Sequence, residues 1–156
     1  MINPQITFFS GGSALKELSK NLIKFTTNSA HLITPFDSGA STGEIRKYFD
    51  IISVGDIRSR MLSMVNPKFY NGNYNLFQHR FDKYTNNKIL FTELKKIAYE
   101  NTFNATENYF IECLKIFIEN LLPDFILNNG SIGNFILTGG FLKEKDIYSV
   151  LTKTAR

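Results

Sequence analysis

Cysteine occurs once in this chain and tryptophan not at all. With Cys113 alone, no internal disulfide framework can form and no thiolate zinc site can be assembled. The residues around it, YFIECLKIFIENLL, repeat apolar side chains at helical spacing, so the thiol reads as an inert packed group. Long apolar runs are missing as well: none reaches the ~20 residues of a membrane-spanning helix. The N-terminus carries neither the basic start nor the apolar stretch of a secretory signal. These absences lead to the expectation of a cytoplasmic protein with no membrane partner. Eighteen Lys and Arg against 14 Asp and Glu give a formal charge of +4, a balance that suits anionic ligands. No Lys/Arg run is dense enough to form a nucleic-acid groove, so no nucleic-acid partner is expected. Internal repeats and low-complexity tracts are lacking too.

What is present fits an ordinary globular unit. A length of 156 residues, 43% hydrophobic and 21% charged, can bury a real core, and residues 1–156 read as a single domain. Ile6 to Phe9 is a short β-prone run that ends at Ser10-Gly11-Gly12-Ser13. The segment 14–26 then places Leu15, Leu18, Leu22 and Ile23 on one helical face. Strand, glycine turn and helix open a βαβ unit, whose ligands sit beyond the carboxyl ends of the strands. Gly11-Gly12 lacks the full GxGxxG spacing, and as an isolated feature it reads equally as a turn or a phosphate loop.

The chain is organised around His31 to Arg60. A second strand over His31 to Thr34 stops at Pro35, because proline cannot donate to a central ladder. The loop Asp37 to Gly43 is made of small polar residues and enters a helix over Ser41 to Phe49. Ser41 or Thr42 is expected to cap that helix, with Glu44 in its first turn. Gly55 permits a tight turn before a helix carrying Ile57, Met61, Leu62 and Val65, and Asp56 is a candidate N-cap. Small residues let a backbone approach a ligand, and N–H groups at helix starts attract phosphate. Asp37 and Asp56 can hold a divalent cation or accept a hydroxyl proton, while Arg58 and Arg60 can meet phosphate, carboxylate or water.

Residues 66–87 read as an irregular Asn-, Tyr- and Phe-rich connection with one packed turn at Leu76 to Phe81. Within it, His79 and Arg80 are minor candidates for ligand contact. Helices are expected over 89–101 and 105–122, and a last one over Asp146 to Arg156. Between them, Asn128 to Asn134 is another loop of small polar residues leading into a helix, with Asn134 able to bond a ligand through either end of its amide.

Taken in order, SGGSAL after a first strand, TPFDSGASTGEIRKYF, SVGDIRSRML, LFQHRF and GSIGNFIL resemble the 2-phospho-L-lactate transferase (CofD-like) family, which includes the YvcK-like gluconeogenesis factors. The resemblance covers nearly the whole chain from Ile6. It implies an α/β, Rossmann-like fold: a mostly parallel sheet flanked by helices, with the ligand over the strand ends. The transferases of that family move a phospholactyl-type group from a guanosine-diphosphate-linked donor to a deazaflavin alcohol with Mg²⁺. The YvcK-like branch resembles a nucleotide-sugar-binding regulator. By motif position, Gly11, Gly12 and Ser13 would face donor phosphates, and Asp37 would meet the metal or acceptor hydroxyl with Ser38, Gly39 and Ser41 lining its loop. Gly55, Asp56 and Arg58 match the family's PGDIR-type motif, and Ser131, Gly133 and Asn134 match its small-residue loop near the nucleotide.

The departures from the family pattern are specific. Phe36-Asp37 stands where two adjacent acids are common, which leaves Asp56 as the partner of Asp37 in a Mg²⁺ site. Family chains are about twice as long, so this chain reads as truncated, an N-terminal portion of the CofD-like fold. The resulting expectation is a nucleotide-diphosphate-binding protein whose enzymatic form is a Mg²⁺-dependent transfer of a phospho-organic group to a hydroxyl. The alternatives are a non-catalytic regulator or an inactive remnant, and a shortened chain with exposed apolar surface is expected to form a homo-oligomer.

Overall fold

β-branched and aromatic side chains favour a pleated surface, and the chain opens with two such runs, Ile6–Ser10 (β1) and Ser29–Ile33 (β2). The computed structural model describes residues 5–11, 15–37, 39–66, 68, 72–100 and 105–155, leaving aside the side chains of Ser10, Ala40 and residues 105–108. Among these residues the sheet has two strands, paired in parallel from Ile6 opposite Ser29 to Ser10 opposite Ile33. A parallel pair needs a crossover, and Lys16–Leu22 (α1) supplies it. The remaining helices follow in order: Ala40–Tyr48 (α2), Val54–Met64 (α3), Gly72–Gln78 (α4), Asn87–Tyr99 (α5), Ala105–Glu119 (α6), Ile132–Glu144 (α7) and Ile147–Thr154 (α8). This is an α/β arrangement, as expected.

The core lies among the helices. Every residue from Ile132 to Gly140 is buried, which makes α7 the axis on which α2, α3, α4, α6 and α8 pack. The crossing of α6 and α7 is close enough that a Cβ on Gly139 would fall onto the Cys113 carbonyl, so only glycine fits there. Phe117 stacks on Phe135 at 4.5 Å, and Phe125 meets both rings edge-on at 5.6 and 6.1 Å. Offset and edge-to-face contacts of this kind each add about 0.5–1.5 kcal/mol beyond area burial. Cys113 is fully buried, and burial pushes its thiol up to about 11.

Four local expectations need correction. The α1 face toward α3 is set by buried Ser19, not by leucines: Leu18 is 48% exposed. Arg60 does not reach toward a ligand, because its Nη1 donates to Ser19 Oγ and, at 3.3 Å, to the Leu15 carbonyl, tying α3 to α1. His31 is the third residue of β2, not its start, and its ring stacks on Phe8 of β1 at 5.1 Å. Residues 66–87 are not a plain connection, since they include α4, whose Phe77 is buried against the α7 side of the core.

Candidate functional site

Three of the helices begin at one place. Ser53 N–H donates to the Pro35 carbonyl at 3.0 Å, which carries the chain from the end of β2 directly beside the start of α3. A Cβ on Gly11, just past β1, would sit 3.8 Å from Asp56 Oδ2 and 3.9 Å from Thr34 Oγ1. A Cβ on Gly55 would collide with the Thr42 hydroxyl and lie 3.6 Å from Asp37 Oδ2. The end of β1, the loop after β2 and the first turns of α2 and α3 are thus within one side chain of each other. From the core side, Asn134 Nδ2 in the first turn of α7 donates to Ser41 Oγ at 2.7 Å.

These first turns are polar although they are buried. Ser41, Thr42, Ser53, Asp56, Ser131 and Asn134 are all at most 8% exposed. Desolvating such groups is costly unless they find partners, and three of them carry an atom that does not: Ser53 Oγ, Ser131 Oγ and Asn134 Oδ1 have no hydrogen-bond partner within the protein. The N-caps of α2, α3 and α7 (Gly39, Ser53 and Ser131) make no side-chain capping bond. Two helices away from this place are capped: Asn86 accepts from Lys88 N–H at the start of α5, and Asp146 accepts from Tyr148 and Ser149 N–H at the start of α8, whereas Leu15 at the start of α1 makes no side-chain capping bond either. Thr42 N–H bonds the Gly39 carbonyl at 3.1 Å and Ile132 N–H the His79 carbonyl at 3.0 Å, so the N-cap side chains leave the other first-turn N–H groups of these helices for another acceptor.

The two aspartates differ in their surroundings. Asp37 Oδ1 accepts from Gly39 N–H at 3.0 Å, a local turn that leaves Oδ2 toward Gly55. Arg46 holds this loop by donating to the Phe36 and Asp37 carbonyls, each at 3.3 Å. Asp56 is not an N-cap as the sequence suggested; the helix starts at Val54, which puts Asp56 inside the first turn and 8% exposed. Likewise α2 begins at Ala40, so Ser41 and Thr42 lie inside its first turn and not at its cap. Glu44 falls beyond that turn, pairing with Lys47 at 2.5 Å and accepting from Ile126 N–H at 3.3 Å. No group of three or more His, Cys, Asp and Glu converges among the described residues.

Arg58 lies between α4 and α7. Its Nη1 donates to the Phe77 carbonyl at 3.4 Å, and a Cβ on Gly133 would stand 2.6 Å from its Cδ. Burial, and then the charge of Arg80, lowers its guanidinium to about 10. Gly133 is required here because α4 and Arg58 press on the first turn of α7.

Of the residues expected from sequence, Gly11, Asp37, Gly39, Ser41, Gly55, Asp56, Arg58, Ser131, Gly133 and Asn134 are described, and all of them belong to these strand ends and helix starts. Gly12, Ser13 and Ser38 lie outside the described residues. Sequence reasoning passed over Thr34 and Ser53, took Thr42 only as a cap, and gave Arg80 only as a minor candidate for ligand contact. The available signal was a hydroxyl residue directly before or inside the first turn of a helix that follows a short loop.

Comparison with known proteins adds three findings. A family model described as 2-phospho-L-lactate transferase CofD matches residues 6–155. The chain is 35% identical over 80 residues to proteins named gluconeogenesis factor from Listeria monocytogenes and Listeria innocua, covering 50% of this chain and 24% of each relative. A crystal structure of a UPF0052-family protein from Bacillus halodurans superposes with a TM-score of 0.62 at 24% identity, over 99% of this chain and 36% of that one. The chain thus spans about a quarter of the length of these curated relatives.

Proposed function

Because the chain belongs to the CofD family, we propose that it binds a nucleoside diphosphate or a nucleotide-linked small molecule across the strand ends. The observation that carries this reading is the set of uncapped, buried, polar first turns of α2, α3 and α7 meeting beside Gly11. Backbone N–H groups at several helix starts can neutralise a diphosphate without a dense cluster of lysines. Gly11, Gly39 and Gly55 give the ligand access to the backbone, Ser41 and Asn134 fix one wall, and Arg58 adds a positive charge from beneath. Gly12, Ser13 and Ser38 complete the loops in this reading.

Asp37 and Asp56 are the residues that would hold Mg²⁺. The donor set fits, since Mg²⁺ is commonly bound by one or two carboxylates together with substrate phosphates. When bound, the ion supplies charge neutralisation at the diphosphate. The protein's own contribution is positional: Arg46 holds the Asp37 loop, and Oδ2 of Asp37 is left free to orient an acceptor hydroxyl. In the transferase form of the proposal, the hydroxyl oxygen bonds to the phosphorus of the donor's phospho-organic group as the bond from that phosphorus to the nucleotide's phosphate oxygen breaks. The nucleotide leaves with that oxygen and the hydroxyl proton passes to Asp37, with positioning and charge stabilisation supplying most of the rate.

A second reading is a binding protein without transfer chemistry, favoured by the gluconeogenesis-factor name of the Listeria relatives. The open sheet face, with Phe9 82% and Leu32 52% exposed, supports the expected homo-oligomer, which sedimentation velocity reads directly.

Thermal unfolding tests the proposal. GDP or a UDP-sugar should raise the melting temperature, by about 2.7 kcal/mol of stabilisation at a hundredfold excess over Kd. Mg²⁺ should enlarge the shift, and Asp37→Asn should remove the enlargement while keeping the turn to Gly39, because an Asn oxygen still accepts. No shift with any nucleotide contradicts both readings. A shift without turnover of donor and acceptor selects the binding protein.

A further inference from the structure

The two strands leave one face of their sheet bare. Thr7 and Phe9 on β1, with Ala30, Leu32, Thr34 and Phe36 along and just past β2, are all exposed, while the residues between them are half-buried. Phe9 stands opposite Leu32 in the parallel register, and the two are 82% and 52% exposed; Phe36 is 77% exposed. Parallel sheets are ordinarily covered on both faces, and a pair of strands alone is marginal in water. This face is unfinished.

Its chemistry selects the occupant. None of these outward residues is charged, although the chain carries a net +4. A charged partner finds nothing to pair with there, whereas two identical neutral faces meet without like-charge repulsion. Phe9 and Phe36, at ~150–250 Å² per aromatic side chain, bring roughly 250–400 Å² by themselves, up to about half of the ~800 Å² that each partner contributes to a standard interface. Leu32, Ala30 and the two threonines extend the patch toward that size. A pair built from the same patch on both subunits is closed and needs no second complementary surface.

The face also runs into the candidate site. Thr34 Oγ1 lies 3.9 Å, and Asp56 Oδ2 3.8 Å, from the point where a Cβ on Gly11 would stand. Phe36 is followed directly by Asp37, and Arg46 donates to the carbonyls of both. Anchoring the Phe36 ring therefore restrains the carboxylate next to it. Resting on the nucleotide-binding reading for its ligand, we propose that a second copy of this chain seats on the Phe9, Leu32 and Phe36 face, and that this pairing orders the Asp37 loop and strengthens nucleotide and Mg²⁺ binding. The linkage is reciprocal, so each bound ligand tightens the dimer by the factor by which the dimer tightens the ligand.

Sedimentation velocity and calorimetric titration of GDP with Mg²⁺ test both parts on the wild-type chain, Phe9→Lys and Phe9→Glu. The wild type should sediment as a dimer and each variant as a monomer, because like charges then face one another across the pair. Mixing the two variants should restore a dimer, which chains with a damaged fold would not do. GDP should bind either monomeric variant about fivefold or more weakly than the wild type, and the mixed dimer should recover the loss. A wild-type chain that stays monomeric at every concentration, or a Phe9→Lys chain that stays dimeric, overturns the interface. Equal GDP affinity in monomer and dimer overturns the coupling. A Phe9-dependent dimer that binds no GDP, UDP or UDP-sugar upholds the interface and overturns the nucleotide reading.

Discussion

Asn134 shows how one side chain can serve both fold and site. It is 2% exposed, its Nδ2 is spent on Ser41 Oγ at 2.7 Å, and its Oδ1 is left without a partner. Removing the amide strands a buried hydroxyl on α2, which costs about 1–3 kcal/mol. Asn134→Ala should therefore lower the urea midpoint by a matching amount and weaken nucleotide binding at the same time. Asp37→Asn, by contrast, should leave the midpoint almost unchanged. Cys113 gives a second residue-scale test, through pH. Burial raises its thiol to about 11 from an ordinary value near 9, and burial raises the Tyr109 phenol as well. The folded chain then keeps protons that the unfolded chain releases. The sign follows: this contribution is intact below pH 9 and is lost as pH rises toward 11. Urea midpoints should fall between about pH 8 and about pH 10.5, more steeply in the wild type than in Cys113→Ala. Thiol labelling should proceed only as fast as the chain opens.

Among the elements, α7 has the least freedom to change. Gly139 lies where the α6 backbone crosses, and a methyl group there meets the Cys113 carbonyl. Gly139→Ala should destabilise by about 1–3 kcal/mol or more, since both neighbours are backbone and cannot turn aside. Chemical denaturation measures it, with Gly43→Ala on half-buried α2 as a milder comparison. Gly133→Ala should also destabilise the fold, because its methyl group meets the Phe77 carbonyl, and should displace Arg58 from the first turn besides. The strands and the helices α2, α3, α5, α6 and α7 were legible because their residues repeat with the right period and are bounded by small or β-breaking residues. Helix α4 was not, because NGNYNLFQ has weak intrinsic helix propensity and is held by Phe77 packing into the core. The small-residue loops were legible because Gly, Ser and Asp cluster where the chain turns at strand ends and helix starts. Asp56 was misread as a cap because the helix began two residues earlier, on Ser53 and Val54. Arg80 was legible only as a minor candidate for ligand contact, because nothing near residue 80 indicates its bridge to Ser131, about fifty residues later in the chain.

At the scale of the molecule, the fold separates tasks. The aromatic core around Phe117 and Phe135 supplies stability, while Ser53, Ser131 and Asn134 at the starts of α3 and α7 carry unsatisfied polar atoms. No described helix is long and apolar enough to cross a membrane. The chemistry proposed for the chain is that of its helix starts, Asp37, Asp56 and Arg58. The family match over residues 6–155 includes both strands and every described helix. The most direct test is a calorimetric titration of GDP into the 156-residue chain with Mg²⁺ and again with chelator. Saturable one-site binding that weakens on chelation is the predicted result; no heat from GDP, UDP or a UDP-sugar under either condition would contradict the account.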